Sequence, residues 1–282
     1  MVYLANPKIE SDGVAEWPAP PRAATVAWRD LVEGFGKTWM WPTLALQDVK
    51  LRYRGSMLGP FWLTISTVLM VAGMGVIYSQ LFNMEIRTYL PYLAVGLIVW
   101  GFLSGMISEG CETFIREAPI IQQVPIPFSI HAYRAVFRNL IVLAHNLVII
   151  PFGIVIFALP VDWHLLGVVP ALVVLSINGL WISLLLGLVS ARFRDIPPIV
   201  ASLLQVLFFL TPVIWPLSAL KEWRIIATAN PFFAAVDVLR APLIGVATAE
   251  SSWPVLLGTT VVGCVLTFAM FARFRSRIAY WI

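Results

Sequence analysis

Six stretches of this chain contain no Asp, Glu, Lys or Arg: residues 55–84, 88–108, 139–161, 165–191, 196–220 and 251–272, with one histidine, His145, in the third. Each exceeds the roughly 20 apolar residues that a bilayer core demands. A soluble fold would have to hide all six in one core. With 60% hydrophobic and only 12% charged residues, the chain has too little polar surface to cover it. The pattern predicts an all-α integral membrane protein of six transmembrane helices in one domain, residues 58–272. A tail over residues 1–25, polar and proline-rich, is expected to be disordered and carries no apolar leader segment.

Lys and Arg in the connections set the orientation. With residues 1–54 inside, fifteen of these cations fall on the cytoplasmic side and four outside. Both termini are therefore expected in the cytoplasm, residues 273–282 included. The formal charge of +4 follows from that asymmetry and gives no reason to invoke nucleic acid. Cys111 and Cys264 offer neither a disulfide framework nor a metal spacing.

Between the spans, four segments call for more than a connector. WRDLVEGFGKTWMW (28–41) places Trp28, Leu31, Val32, Phe35 and Trp39 on one helical face. Such a helix either lies in the membrane interface or packs on another part of the chain. DVKLRYRGSMLGPFW (48–62) runs three cations, Lys50, Arg52 and Arg54, into Gly55, Gly59 and Pro60, which suits positive-inside anchoring, a hinge or an anion site. CETFIREAPIIQQVPIP (111–127) reads as a short amphipathic helix at about 111–120, kept separate from the next span by Pro119, Pro125 and Pro127. In residues 217–250 the apolar run 225–236 is too short to cross and is broken by Asn230 and Pro231. Two short helices that enter the outer leaflet and return fit that pattern.

At 192–195, Arg192, Arg194 and Asp195 stand before Pro197 and Pro198. Asp195 is expected to cap the fifth span and pair with an arginine, as either a plain topological anchor or a hook that passes movement to that helix. Gly101 and Gly105 have the spacing of close helix approach. His145, Asn146, Asn178 and Gln205 are expected to hydrogen-bond between helices.

No phosphate-binding loop, nucleophile elbow or metal motif is present, so no catalytic residue, no metal ligand and no cofactor on this chain is expected. Three stretches, DVKLRYRGSMLGPFW, ARFRDIPPIVASLLQVLFFLTPVIWP and NPFFAAVDVLRAPLIG, together resemble the membrane subunit of ABC-2 type polysaccharide exporters, the Wzm-type O-antigen, capsule and teichoic-acid permeases. They occur in that family's order, and the likeness runs from about residue 28 onward. REAPIIQQVPIP departs from the Asn-rich, lysine-bearing form of many relatives.

The resemblance implies the ABC-2 (type V) exporter fold: an N-terminal interface helix, six spans, and short re-entrant outer helices between spans five and six. It also implies a bacterial inner-membrane homodimer with two separate Wzt-type ATP-binding cassette subunits, which hold ATP and Mg, and a lipid-linked polysaccharide as cargo. Phe114, Ile115, Arg116, Glu117, Ala118 and Pro119 would then form the coupling helix, with Trp28, Phe35 and Trp39 on the interface helix. Arg52, Tyr53, Arg54, Leu58 and Gly59 would form the cytoplasmic gate, the arginines meeting a lipid pyrophosphate. Trp62, Tyr78, Trp100, Phe208, Phe209 and Trp215 are candidate channel aromatics for sliding contact with sugar. The alternatives are an ABC-2 exporter of a small drug or lipid, a membrane glycosyltransferase and an ion-coupled carrier. Against the glycosyltransferase stand outer acids that are merely scattered: Glu85, Asp162, Glu222, Asp237 and Glu250.

Overall fold

The computed structural model describes residues 8–9, 15–16, 23–57, 59, 61–157, 162–219 and 224–282. Apart from a two-residue antiparallel pairing of Lys8–Ile9 with Ala15–Glu16, the secondary structure among them is helical. Helices α1 (Ala23–Gly36) and α2 (Met40–Arg52) precede α3 (Phe61–Leu81), α4 (Ile86–Glu112) and the short α5 (Ala118–Gln123). Then come α6 (Ser129–Leu147), α7 (Ile149–Phe157), a 3-10 turn at Trp163–Gly167, α8 (Val168–Arg192) and α9 (Ile196–Leu210). Short α10 (Arg224–Thr228) and α11 (Pro231–Leu243) lead to α12 (Ser252–Phe274) and α13 (Ile278–Trp281).

Five segments are long and apolar enough to cross a membrane: α3, α4, α6 with α7, α8 with its preceding turn, and α12 with its continuation to Trp281. The count of six is not confirmed, because the expected fifth span is shorter than its apolar run. Instead of a crossing helix over 196–220, α9 has 15 residues and stops at Leu210. At 1.5 Å per residue it measures about 22 Å, short of a hydrocarbon core of about 30 Å. The cause lies in the sequence, because Pro212 disfavours helical backbone at Thr211, which is extended at φ −100°, ψ 137°.

The irregular stretch after α9 is stabilised by protein groups that occupy its carbonyls. Tyr89 Oη donates to the Ile214 carbonyl at 2.8 Å, and the single Tyr92 hydroxyl proton is shared between the carbonyls of Pro212 at 3.1 Å and Trp215 at 3.0 Å. Arg240 Nη1 donates to the Pro212 carbonyl at 2.8 Å. Irregular backbone is tolerated at membrane depth only where protein satisfies it in this way.

The third span also differs from expectation. Its helix begins at Ser129, ten residues before the charge-free run, and includes Arg134 and Arg138, whose charges are neutralised by neighbouring acids. It breaks after Leu147 because Pro151 cannot donate to that residue's carbonyl and its ring clashes with it.

At the centre lies α4, whose Leu93, Val95, Val99, Phe102, Leu103 and Met106 are buried. Its closest neighbour is α8, and the contact depends on small residues spaced by four: Gly179, Ser183, Gly187 and Ala191, all buried. A Cβ on Gly187 would lie 3.1 Å from the Phe114 ring and 3.3 Å from the Gly110 carbonyl, and one on Gly110 would lie 3.1 Å from Ser183 Cα. The predicted Gly101–Gly105 motif is half used: Gly105 abuts Asn139, whereas a Cβ on Gly101 meets nothing within 4 Å.

Candidate functional site: an ion-pair network at the basic end

The ends of α2 and α4, the start of α6, and the segments α5 and α13 gather at one end of the bundle, called here the basic end. Three carboxylates and three guanidiniums interlock there. Arg134 on α6 grips Asp48 on α2 through both carboxylate oxygens, Nε at 2.8 Å and Nη2 at 2.6 Å, and its Nη1 donates to Glu117 at 2.6 Å. One turn on, Arg138 donates to Asp48 at 2.6 Å and to Glu109, at the end of α4, at 2.9 Å. Arg52, the last residue of α2, takes the other Glu109 oxygen at 2.8 Å, and Asn139 adds a bond at 2.7 Å.

The six charges cancel, so the cluster can sit at the end of apolar spans without an unpaired ion. Four elements depend on it: α2, α4, α6 and the turn carrying Glu117 before α5. Burial disfavours the Asp48 carboxylate, but hydrogen bonds and charge from Arg134 and Arg138 outweigh this and hold it below the ordinary carboxylate range. A depressed folded-state value stabilises the fold above the unfolded value of about 4 and is lost as pH falls through the folded value. Susceptibility of α1–α2 to limited proteolysis should therefore stay flat from pH 7 to 5 and rise below about pH 4.

Neither Asp48 nor Glu109 stood out in the sequence, and Arg134 and Arg138 count there only as inside-rule cations. The readable signal was Arg134 and Arg138 four residues apart, hence on one face, directly before an apolar run, with Glu109 at the end of another.

A second clamp fixes α1. Asp30, on the charged side of the predicted interface helix, is buried. Its carboxylate accepts the Phe128 and Ser129 backbone N–H groups at 3.1 and 2.9 Å and Arg275 Nε at 2.7 Å. A carboxylate from α1 thus caps the start of α6, where free N–H groups favour negative charge. The single helix expected over 28–41 is in fact two, divided at Lys37–Trp39. Trp28, Phe35 and Trp39 are 62%, 59% and 69% exposed, whereas Leu31 packs inward and Trp41 stacks edge-on against Phe137 at 5.2 Å.

The expected coupling helix is displaced. Residues 113–117 form turns, and the helix spans Ala118–Gln123, with Pro119 in its first turn. Phe114 is fully buried against Phe128, Glu117 is held by Arg134, and Arg116 pairs with Glu112. Ile115 is half-buried; Ala118 is half-buried and Pro119 exposed on α5. Gln122 donates to the Ile282 carbonyl at 2.9 Å.

The 192–195 hook also differs from expectation. Asp195 adopts helical backbone angles and makes no side-chain cap bond, and among the described residues no ion pair joins it to Arg192 or Arg194. The arginines bind α13 instead: Arg194 donates to the Trp281 carbonyl at 3.2 Å, and Arg192 lies 5.8 Å from the Trp281 ring. Pro197 and Pro198 stand in the first turn of α9 as expected.

Of the gate residues, Arg52 is paired, Tyr53 follows the last residue of α2 as its C-cap, Arg54 is exposed, and Gly59 has a positive φ of 55° that suits glycine; Leu58 lies outside the described residues. The candidate aromatics do not line one surface of this chain. Trp100 is buried between Phe208 at 5.5 Å and Phe232 at 6.0 Å, and Tyr78 stacks on Phe82. Trp215 Nε1 is bonded to the Phe209 carbonyl, while Trp62 and Phe209 are exposed.

Of the polar residues in the spans, Asn178 bonds Thr260 on α12 at 2.7 Å and Asn146 accepts from Thr64 on α3 at 3.2 Å. The His145 ring hydrogen-bonds the Ile141 carbonyl of its own helix and meets Phe61 on α3 edge-on at 6.1 Å, and Gln205 is exposed.

Residues 41–244, most of the chain, match the ABC-2 type transporter family. This chain belongs to that family. The ABC-2 match begins in α2 and ends just after α11, so it takes in the whole network. Among ABC-2 relatives, the O-antigen export system permease protein RfbA of Myxococcus xanthus is 26% identical over 245 residues, covering 83% of this chain and 91% of its own. An O-antigen export system permease protein RfbA of Klebsiella pneumoniae is 23% identical over 235 residues, with the same coverage. As an ABC-2 protein with several apolar helices, the chain is a multi-pass membrane component of a transporter.

Proposed function

We propose that this chain is the permease half of an ATP-driven exporter that moves a lipid-linked, O-antigen-like polysaccharide from cytoplasm to periplasm through a homodimeric channel in the bacterial inner membrane. The carrying observation is similarity to O-antigen export permeases along nearly the full length of both partners. The fifteen-to-four division of Lys and Arg supports cytoplasmic termini, which puts the basic end in the cytoplasm.

On this reading two Wzt-type ATPase subunits bind ATP and Mg and dock at α5, beside α13 and the 192–195 hook. The network then acts as the mechanical joint. Glu117, next to α5, is bound to Arg134, which shares Asp48 with Arg138, which in turn holds Glu109 at the end of the central helix. Displacement of α5 would therefore reach α2, α4 and α6 together. With Arg52 committed to Glu109, the cation offered to a lipid pyrophosphate is the exposed Arg54. Trp28, Phe35 and Trp39 lie at headgroup level.

Deletion of the gene, with the intact chain supplied back as control, tests this reading. Lipid-linked polysaccharide should collect on the inner side of the membrane, surface glycan should fall at least tenfold, and complementation should reverse both. Normal surface glycan alongside altered tolerance of small amphiphiles would point to a drug or lipid cargo instead.

A further inference from the structure

At the end of the bundle opposite the network, a recess of about 570 Å³ opens between α4, α11 and residues 246–251, within the size range of small-molecule sites. Its floor contains two ionisable side chains from one turn of α11, Asp237 and Arg240, which are 8% and 3% exposed. They form no ion pair with each other. Arg240 Nη1 donates to the Pro212 carbonyl, and the guanidinium, 4.0 Å from the centre of the Tyr92 ring, also hydrogen-bonds the Tyr92 side chain, so part of its five-donor fork stays uncommitted. Asp237 Oδ2 accepts from the Ala249 N–H and from Ser252 Oγ, whereas Oδ1 accepts no hydrogen bond.

Fully enclosed side-chain polar atoms without partners are confined, among the described residues, to His131, Ser183 and Ser190. The uncommitted groups of Arg240 and Asp237 are therefore reachable from the recess. Nearly buried, with unused capacity for hydrogen bonding, they need a partner that supplies both donors and acceptors.

We infer that this recess binds a neutral sugar unit of the exported chain, a site that rests on the glycan-export reading. Adjacent hydroxyls on a pyranose are both donors and acceptors, so one can accept from the Arg240 fork while its neighbour donates to Asp237 Oδ1. Thr248 and Leu217 on the wall add a further hydroxyl and an apolar contact. Among the described lining residues, Asp237 and Glu250 outnumber Arg240 in charge, which disfavours a uronate, a phosphate or a lipid phosphate headgroup.

The full-length protein in detergent is tested by saturation-transfer NMR with millimolar methyl glycosides of glucose, galactose, mannose and N-acetylglucosamine, and with glucuronate and phosphocholine for comparison. At least one neutral glycoside should give transfer, reduced at least tenfold in Arg240→Lys, while glucuronate and phosphocholine give none. Because Arg240 also supports Pro212, Ala247→Leu, at the exposed rim, supplies a second variant that fills the recess without touching that bond, and it should lose the signal equally. Absence of transfer from all four glycosides, equal transfer in Ala247→Leu, or stronger transfer to glucuronate or phosphocholine would overturn the assignment. Polysaccharide export intact in the complementation test with no glycoside bound would refute the recess alone. Normal surface glycan after deletion of the gene would refute the parent reading, whatever binds here.

Discussion

Replacing Arg138 with alanine should destabilise the detergent-solubilised chain by about 3–5 kcal/mol, among the largest effects of any single substitution in it. The side chain is 8% exposed and holds Asp48 and Glu109 at once. Its removal leaves three carboxylates facing two guanidiniums in a poorly hydrated site. Deleting one partner of a buried pair costs about this much because the remaining charge has lost its compensation. Arg138→Lys should recover only part of the loss, since an ammonium is a point charge that cannot bridge two carboxylates as a planar fork does. Thermal unfolding of both variants checks this, and an unfolding profile unchanged by the alanine would show that the network contributes nothing to stability.

Gly187→Leu should prevent proper closure of α8 on α4. Even the first added carbon would stand 3.1–3.3 Å from the Phe114 ring, the Thr113 Cβ and the Gly110 carbonyl, two of them on parts of the chain that cannot easily move. Overpacking of this kind costs about 1–3 kcal/mol and sometimes more, and here the full side chain enters the contact on which both central helices depend. Gly101→Leu is the matched control, because its Cβ has open space, and it should change stability little. The comparison is read from the yield of monodisperse protein and its unfolding temperature; equal behaviour of the two variants would refute the assignment of close packing to Gly187.

The membrane architecture was readable because six charge-free runs are long enough to leave no other fold, and the break between the short helices α10 and α11 was visible in Asn230 and Pro231. Asn230 indeed caps α11 by accepting from the Phe232 N–H at 2.9 Å. The end of α9 was not legible because apolar composition continues through Pro212 to Leu220, while length of composition says nothing about where a proline and two tyrosine hydroxyls will end a helix. The glycine signal was misplaced for a similar reason. A Gly-x-x-x-Gly pair is conspicuous, whereas Gly179, Ser183, Gly187 and Ala191 mark the contact only when small residues of different types are read together.

The network escaped notice because its members come from residues 48, 52, 109, 117, 134 and 138, and only the fold makes them neighbours. Judged one at a time, Arg134 and Arg138 satisfy the inside rule and need no partner. The 192–195 hook shows the same limit from the other side. Its charges pointed to an internal Asp–Arg pair, yet the arginines reach α13, more than eighty residues away, and Asp195 faces outward.

The central claim is ATP-driven movement of glycan across the membrane by this chain together with a separate ATPase. Inverted inner-membrane vesicles that contain both subunits and a radiolabelled lipid-linked polysaccharide measure it directly, as the fraction of glycan protected from added glycosidase. Protection should rise with ATP, vanish when the ATPase cannot hydrolyse it, and fall strongly when Arg138 is alanine. Protection that appears without ATP, or that never appears although both subunits are folded and assembled, would contradict the account.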